Sequence, residues 1–223
     1  MRFLHSLHDR PFDAATWDRF VASDPGGHLL QTWAWGELKG RFGWRAVRAA
    51  VERDGALVAG AQVLYRRLGP MTLAYVPKGP VLVDDDPAAA AMLWRGLERL
   101  SRPRLTVALK VEPDWRDDEP QHHRWLCEQG LAPSPRTIQP RHTIIVDLTA
   151  ADDDMLARMK PKWRYNTRLA ERKGVEVVEG GVNDVSAFHD LMQMTGERDA
   201  FGVHSAAYYG AALALLAPEG RAR

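Results

Sequence analysis

The stretch from Trp44 to Val83 constrains this chain more than any other part of it. It reads WRAVRAAVERDGALVAGAQVLYRRLG, then Pro70, then MTLAYVPKGPVLV. Runs of strand length rich in Val, Leu and Tyr are broken at Asp54-Gly55, at Gly69-Pro70 and at the turn from Pro77 to Pro80, signals that reverse a chain within a few residues. This pattern predicts an antiparallel meander of three strands. A meander has faces to bury, so the flanking sequence must supply the cover.

The flanks read accordingly. MRFLHS predicts a short strand, and DAATWDRFVAS a helix capped by Asp13 that turns Trp17 and Phe20 inward. A second short helix is expected over LQTWAWGELKGRFG. DPAAAAMLWRGLERLSR is amphipathic with Pro87 in its first turn, RLTVALKVEP is a continuous apolar strand of the buried type, and DEPQHHRWLCEQG predicts a helix ending at Gly130. A Pro-rich connector leads to the expected strand HTIIVDL. A second series then begins: a helix over ADDDMLARM with acids at its start, a basic helix over 161–173, a strand over GVEVVEG, and helices over 184–199 and 205–217. This order predicts an α/β fold with a mixed sheet and flanking helices, GNAT-like (acyl-CoA N-acyltransferase-like) in layout. One complete copy is expected over residues 1–150 and a partial second copy over 151–223, which would leave the apolar face of YYGAALALL short of a sheet to cover.

Composition bounds the function. At 223 residues and 45% hydrophobic, the chain can bury a real core. No charged leader opens it and no apolar run approaches the roughly 18 residues that span a bilayer, which predicts a folded cytoplasmic protein. The single cysteine, Cys127, forms no internal disulfide or thiolate cluster and reads as a packing residue. No nucleophile elbow, His-Glu-x-x-His or P-loop spacing occurs, so serine hydrolase, metalloprotease and P-loop readings fall away.

The formal net charge is only +1, yet between Arg158 and Lys173 seven basic residues meet one acid, Glu171. Arg164, Arg168 and Arg172 recur every fourth residue and form one stripe on a helix. Like charges at that spacing oppose the helix by about 0.2–0.5 kcal/mol per pair, so an anionic partner explains them better than a solvated face does. Pro161 opens the helix with free N–H groups, and Lys160 and Lys162 stand beside them, an arrangement suited to phosphate. Tyr165, four residues before Leu169, reads as a core anchor. Trp163 suits either core packing or stacking on bases.

MKPKWRYNTRLAERKGVEV (159–177) resembles the signature helix and strand of the Fem-type (FemX/FemAB) peptidyltransferases, which add amino acids from aminoacyl-tRNA to the peptide stem of peptidoglycan precursors. LLQTWAWGELKGRFGW (29–44) resembles that family's Gln, Trp and Lys element, and AYVPKGPVL (74–82) its Pro-x-Gly-Pro strand-turn. LMQMTGERDAFGVHSAAYY (191–209) resembles its Thr-x-x-Arg-x-x-Phe segment with a trailing Tyr pair. The resemblance implies two GNAT-like domains, no cofactor and no metal. Its partners would be aminoacyl-tRNA and a muramyl-pentapeptide precursor carried on a lipid or nucleotide diphosphate, with peripheral contact at the inner membrane face. By motif position Lys39 and Arg198 would contact the diphosphate; the basic helix, with Lys160, Lys162, Arg164 and Arg168, is assigned to the tRNA backbone, since several cations on one face suit a polyanion better than one diphosphate. Family members continue well past residue 223, so the resemblance implies a C-terminally short chain.

Transfer from an activated ester needs mainly positioning and exclusion of water. The acceptor is the difficulty: a lysine-like amine with pKa near ~10.4 is almost wholly protonated at neutral pH. Asp114, Asp117, Asp118, Glu119, His122 and His123 are candidates to take its proton, but EPDWRDDEPQHHRW reads equally well as a charged turn and helix cap. His204 and Asp199 are no better, and no catalytic residue is singled out. Two other readings remain open: an acyltransferase using acyl-CoA, whose pyrophosphate would need the Gly-rich turn in EGGVNDVSAF, and a non-catalytic remnant that binds RNA or precursor.

Overall fold

The computed structural model describes residues 1–7, 12–116 and 118–223, without the side chains of Asp85 and Arg104. Its strands are β1 (Arg2–His5), β2 (Arg45–Arg53), β3 (Ala56–Leu68), β4 (Met71–Pro77), β5 (Val81–Leu82) and β6 (Thr106–Glu112). They form one sheet in the order β1-β2-β3-β4-β6, with β5 paired to β3. Every pair is antiparallel except β4 with β6, which run parallel. The helices are α1 (Ala14–Ser23), α2 (Trp33–Arg41), α3 (Pro87–Ser101), α4 (Pro120–Glu128), α5 (Asp152–Arg158), α6 (Pro161–Arg172), α7 (Val185–Asp199) and α8 (Ala206–Leu216). The chain is thus mixed α/β, as expected, and the meander is β2-β3-β4.

Local chemistry explains the boundaries. Asp54 and Gly55 both take positive φ, 51° and 83°, the backbone of a two-residue turn that matches strand twist. Asp13 Oδ1 accepts from Thr16 N–H at 2.7 Å and starts α1 by satisfying one of its free N–H groups. Asp86 caps α3 by accepting from Ala88 and Ala89, with Pro87 at the first helical position.

Alternation along β2 and β3 sends residues to two covered faces. Val47, Ala49 and Val51 of β2 and Ala59, Ala61, Val63 and Tyr65 of β3 pack against Leu93, Trp94, Leu97 and Leu100 of α3. The opposite face carries Ala50, which packs with Trp17, Phe20 and Val21 of α1. Arg48 and Gln62 stand opposite each other across β2 and β3, one residue from positions of the α3 face.

On that second face one side chain completes the sheet. The β3–β4 pairing ends at Leu64 with Tyr75, and β5 joins β3 at Gly60 with Val81 and at Ala59 with Leu82. In the gap, the fully buried Gln31 accepts from Gln62 N–H at 2.7 Å and donates to the Pro77 carbonyl at 2.6 Å. Gly79 packs so closely on this amide that a Cβ there would lie 2.7 Å from it. Trp17 Nε1 donates to the Gln31 carbonyl at 2.7 Å, and Gln62 Nε2 donates to the carbonyls of Leu30 and Thr32.

Several sequence expectations are corrected. The segments 142–148 and 174–180 form no strand; Ile145 is 92% and Val177 97% exposed. Alternating apolar residues become a strand only where a neighbouring strand takes up their backbone groups, and none among the described residues does so. β6 lies at the sheet edge, so it is only half-buried, with Val107 facing solvent. Tyr165 is exposed, and so is Cys127, whose Sγ lies 4.0 Å from His123 Nδ1. The apolar helix α8 packs on another helix, α2, which buries Tyr208 and Leu216, and the tail beyond it returns to α1 through an Arg221–Asp18 ion pair at 2.9 Å.

Candidate functional site

The α2–α8 contact builds the site. Thr32 caps α2 by accepting from Trp35 N–H, and Asp18 of α1 accepts from Trp33 N–H at 2.7 Å, so the start of the helix is fixed. Trp35 and Lys39 follow one turn apart on one side of it. Ser205 caps α8 by accepting from Tyr208 N–H, which places Tyr208 in the first turn, facing α2.

Lys39 Nζ donates to Tyr208 Oη at 3.4 Å and sits 5.3 Å from the Trp35 ring centre and 5.2 Å from that of Tyr208. On Tyr208 the His204 ring stacks at 3.9 Å, and Phe42 packs at 4.9 Å. Burial, with Arg66 adding repulsion, lowers the Lys39 pKa from its ordinary value. Burial also raises Tyr208, helped by Tyr209, so its phenol stays protonated. With Lys39 donating to its oxygen, the phenol keeps its own hydrogen to give. Burial and then Lys39 lower His204 below its usual 6.5, leaving it neutral at neutral pH. Among the described residues Lys39 makes no ion pair. A half-buried cation without a carboxylate, flanked by a phenol and by Arg66, is chemically a place for an anion.

Arg198 stands otherwise. In the last turn of α7 it donates through Nε and Nη2 to both carboxylate oxygens of Asp199, each at 2.9 Å, and its side chain is exposed. The residue that joins Lys39 from the later part of the chain is Tyr208, with His204 behind it. The trailing Tyr pair in the sequence pointed toward this position, but only the fold brings it across 169 residues to Lys39.

The basic helix presents its charges to water. Lys160 occupies the N-cap of α6 with no side-chain cap, Pro161 follows, and no residue of the helix is buried. Lys162 and Arg168 are exposed; Arg164 donates to the Ala157 carbonyl at 3.0 Å, and Arg172 lies 6.0 Å from the Tyr165 ring. Trp163 is 67% exposed beside them.

The candidate proton acceptors are engaged locally. Asp114 pairs with Lys78 at 2.6 Å, Asp118 with Arg116 at 2.6 Å, and Glu119 with His122 at 3.1 Å; Asp117 lies outside the described residues. Asp114, Glu119 and His122 edge a cleft of about 580 Å³ between Ser23–Gly26, the Lys78–Pro80 turn and Trp115. A network the sequence did not announce borders a neighbouring cleft: Glu112 accepts from Tyr75 Oη at 2.7 Å and from Ile138 and Gln139 N–H. Burial pushes the Glu112 carboxyl up, but these bonds and Lys110 outweigh it and leave the pKa below the usual value. Tyr75 is raised far above a normal phenol, by burial first and then by Glu112.

The Gly180-Gly181 turn places Asp184 Oδ2 on Gly181 N–H at 2.7 Å. An acid sits where a pyrophosphate would need bare amides, which weighs against an acyl-CoA site there. Among the described residues no helix is long and apolar enough to cross a membrane.

Comparison with known proteins identifies the family of the chain. The FemAB family model matches residues 12–125 and 128–215. Lipid II:glycine glycyltransferases of Staphylococcus aureus strains COL and MRSA252 are each 33% identical over 204 residues, covering 86% of this chain and 48% of theirs. The chain therefore spans about half the length of the curated relatives it matches. The crystal structure of FemX superposes with a TM-score of 0.83 at 30% identity, covering 99% of this chain and 56% of that one. Both segments matched by the family model contribute to the α2–α8 contact, Lys39 from the first and Tyr208 from the second, and the chain belongs to the FemAB family.

Proposed function

We propose that this chain takes part in transferring an amino acid from aminoacyl-tRNA to the peptide-stem amine of a muramyl-pentapeptide precursor, in the cytoplasm at the inner face of the membrane. The observation that carries the proposal is Lys39, a half-buried cation without an acid, closed over by Tyr208. In this reading Lys39 holds the diphosphate of the precursor and the Tyr208 hydroxyl donates to the same group. Arg198 reaches it by leaving Asp199, a surface pair of small worth. The relatives' names, which give lipid II as acceptor and glycine as the transferred residue, support a lipid-linked acceptor.

Lys160, Lys162, Arg164 and Arg168 then follow the tRNA backbone, with exposed Trp163 available to stack on a base. The donor ester is already activated, so what the protein supplies is proximity of ester and amine, with water kept out. A cationic surround lowers the pKa of an acceptor amine, because a second positive charge disfavours its protonated form.

Filter binding of aminoacyl-tRNA across a salt series tests the RNA half of the proposal. Wild type is expected to bind with a steep salt slope, and an Arg164→Glu, Arg168→Glu variant to lose affinity and roughly 1.5 units of slope. Equal, weak binding by both would remove tRNA from the function of this chain.

A further inference from the structure

Lys39 is the cation of the site, but nothing at Lys39 itself fixes where it stands. Its ammonium touches two aromatic rings and one hydroxyl, all tolerant of small displacements. The restraint lies one turn back, where α2 meets the sheet at Gly36. A Cβ on Gly36 would overlap Gln62 Oε1 and Arg48 Nη2 and approach Ala46 Cβ to 3.0 Å. The helix backbone therefore rests directly on two polar side chains that stand opposite each other on β2 and β3.

Arg48 is 4% exposed, and its guanidinium grips α2 in three ways. Nη2 donates to the Trp33 carbonyl at 2.9 Å and lies 3.5 Å from Glu37 Oε1, and the guanidinium plane lies under the Trp33 ring at 3.7 Å. Gln62 holds the approach to the helix through the Leu30 and Thr32 carbonyls at 3.1 and 3.0 Å. Gly36 precedes Lys39 by three residues, about 4.5 Å along the axis, so a tilt at this seat carries directly to the ammonium. A core built only for stability would fill this position with apolar residues, since a buried charge gains little over a hydrophobe of the same size. What a forked guanidinium adds is direction, because its donors lie in a fixed plane.

We propose that Arg48, seated against Gly36 and Gln62, is a positioning residue for Lys39: it sets the orientation of α2 and thereby the place of the ammonium against Trp35 and Tyr208. This rests on the reading of Lys39 as a diphosphate ligand only for its consequence in turnover, and its test separates the two.

The lysines of the full chain are reductively dimethylated with ¹³C, which keeps their charge, and the Lys39 signal is assigned by its loss in Lys39→Arg. In wild type that signal is expected to show ring-current displacement and to titrate below the exposed dimethyl-lysines of the same chain, the direction in which burial and Arg66 push Lys39. Arg48→Lys keeps the charge but loses the fork, and Gly36→Ala keeps Arg48 but lifts the helix. Each is expected to reduce the ring-current displacement and return the titration toward that of the exposed dimethyl-lysines. A folded Arg48→Lys or Gly36→Ala whose Lys39 signal matches wild type in both respects overturns the proposal. The second arm is KM for a diphosphate-linked muramyl pentapeptide, expected to rise several-fold with kcat held. If the Lys39 signal moves and KM does not, positioning stands and the diphosphate role of Lys39 falls.

Discussion

Replacing Lys39 by Met separates binding from folding at the site. Met keeps most of the unbranched stem that packs between Trp35 and Tyr208, and removes only the charge. Two opposing effects on stability nearly cancel. The cation–π contacts at 5.3 and 5.2 Å are lost, each worth about 0.5–1 kcal/mol at a partly exposed site. Against this, the fold no longer holds a half-desolvated ammonium repelled by Arg66. Stability is therefore expected to stay within about 1 kcal/mol of wild type by urea denaturation, inside the range of substitutions away from a structural keystone. Binding has no such cancellation. A hydrogen bond to a charged group contributes about 1.5–3 kcal/mol, so affinity for a muramyl pentapeptide on a nucleotide diphosphate is expected to fall roughly 10- to 150-fold by calorimetric titration. A variant that binds within threefold of wild type refutes the assignment of the anion to Lys39. A variant that loses several kcal/mol of stability refutes the claim that the charge is there for a ligand.

Two further outcomes follow from the geometry. Trp17→Phe removes the N–H that satisfies the Gln31 carbonyl and opens space among Phe12, Phe20 and Val21; the unmet acceptor and the cavity together predict a loss of about 2–4 kcal/mol by denaturant titration, and a loss under 1 kcal/mol would mean the carbonyl has another partner. His204 and His28 both have folded pKa values pushed below 6.5, chiefly by burial, so above 6.5 they leave stability unchanged, and as pH falls through 6.5 the unfolded chain takes up protons first and stability declines. His28 sharpens this, since its Nδ1 accepts from Leu30 N–H and cannot do so once protonated. Thermal melts between pH 7.5 and 5 should show the decline, with a shallower slope in His204→Gln; an identical slope removes His204 from the account.

The fold was legible where a residue acts on its own neighbourhood. Asp13, Pro87 and Asp54-Gly55 are local devices, and the helix starts and the hairpin stand where they point. It was illegible where an element depends on a partner far along the chain. Ile144 to Val146 and Val175 to Val178 have strand composition, yet strand character is completed by a neighbour, and here their side chains face water. The site divides in the same way. Lys39 and the basic stripe could be chosen from motif and charge, but the meeting of Lys39 with Tyr208 is a product of α8 packing on α2. Arg198 and Asp199, adjacent in sequence, pair because the helix ends there, with Ala200 at φ 56°, and the spacing rule of a continuing helix no longer applies. Arg48 gave no signal at all: an arginine in a strand reads as an exposed position, and only the glycine above it explains its burial.

Gln31 carries a lesson for anyone who would transplant this sheet into another scaffold. Its side-chain amide occupies the place of a peptide group between β3 and the end of β4. Asparagine would fall one methylene short, and glutamate would bring no donor for the Pro77 carbonyl. The β-strands alone are thus not a separable module: the graft must include the turn before α2, and with it a helix whose eighth residue beyond Gln31 is Lys39. Variants selected for a different splay of β3 and β4 should for the same reason carry changes near residue 31 as well as in the strands.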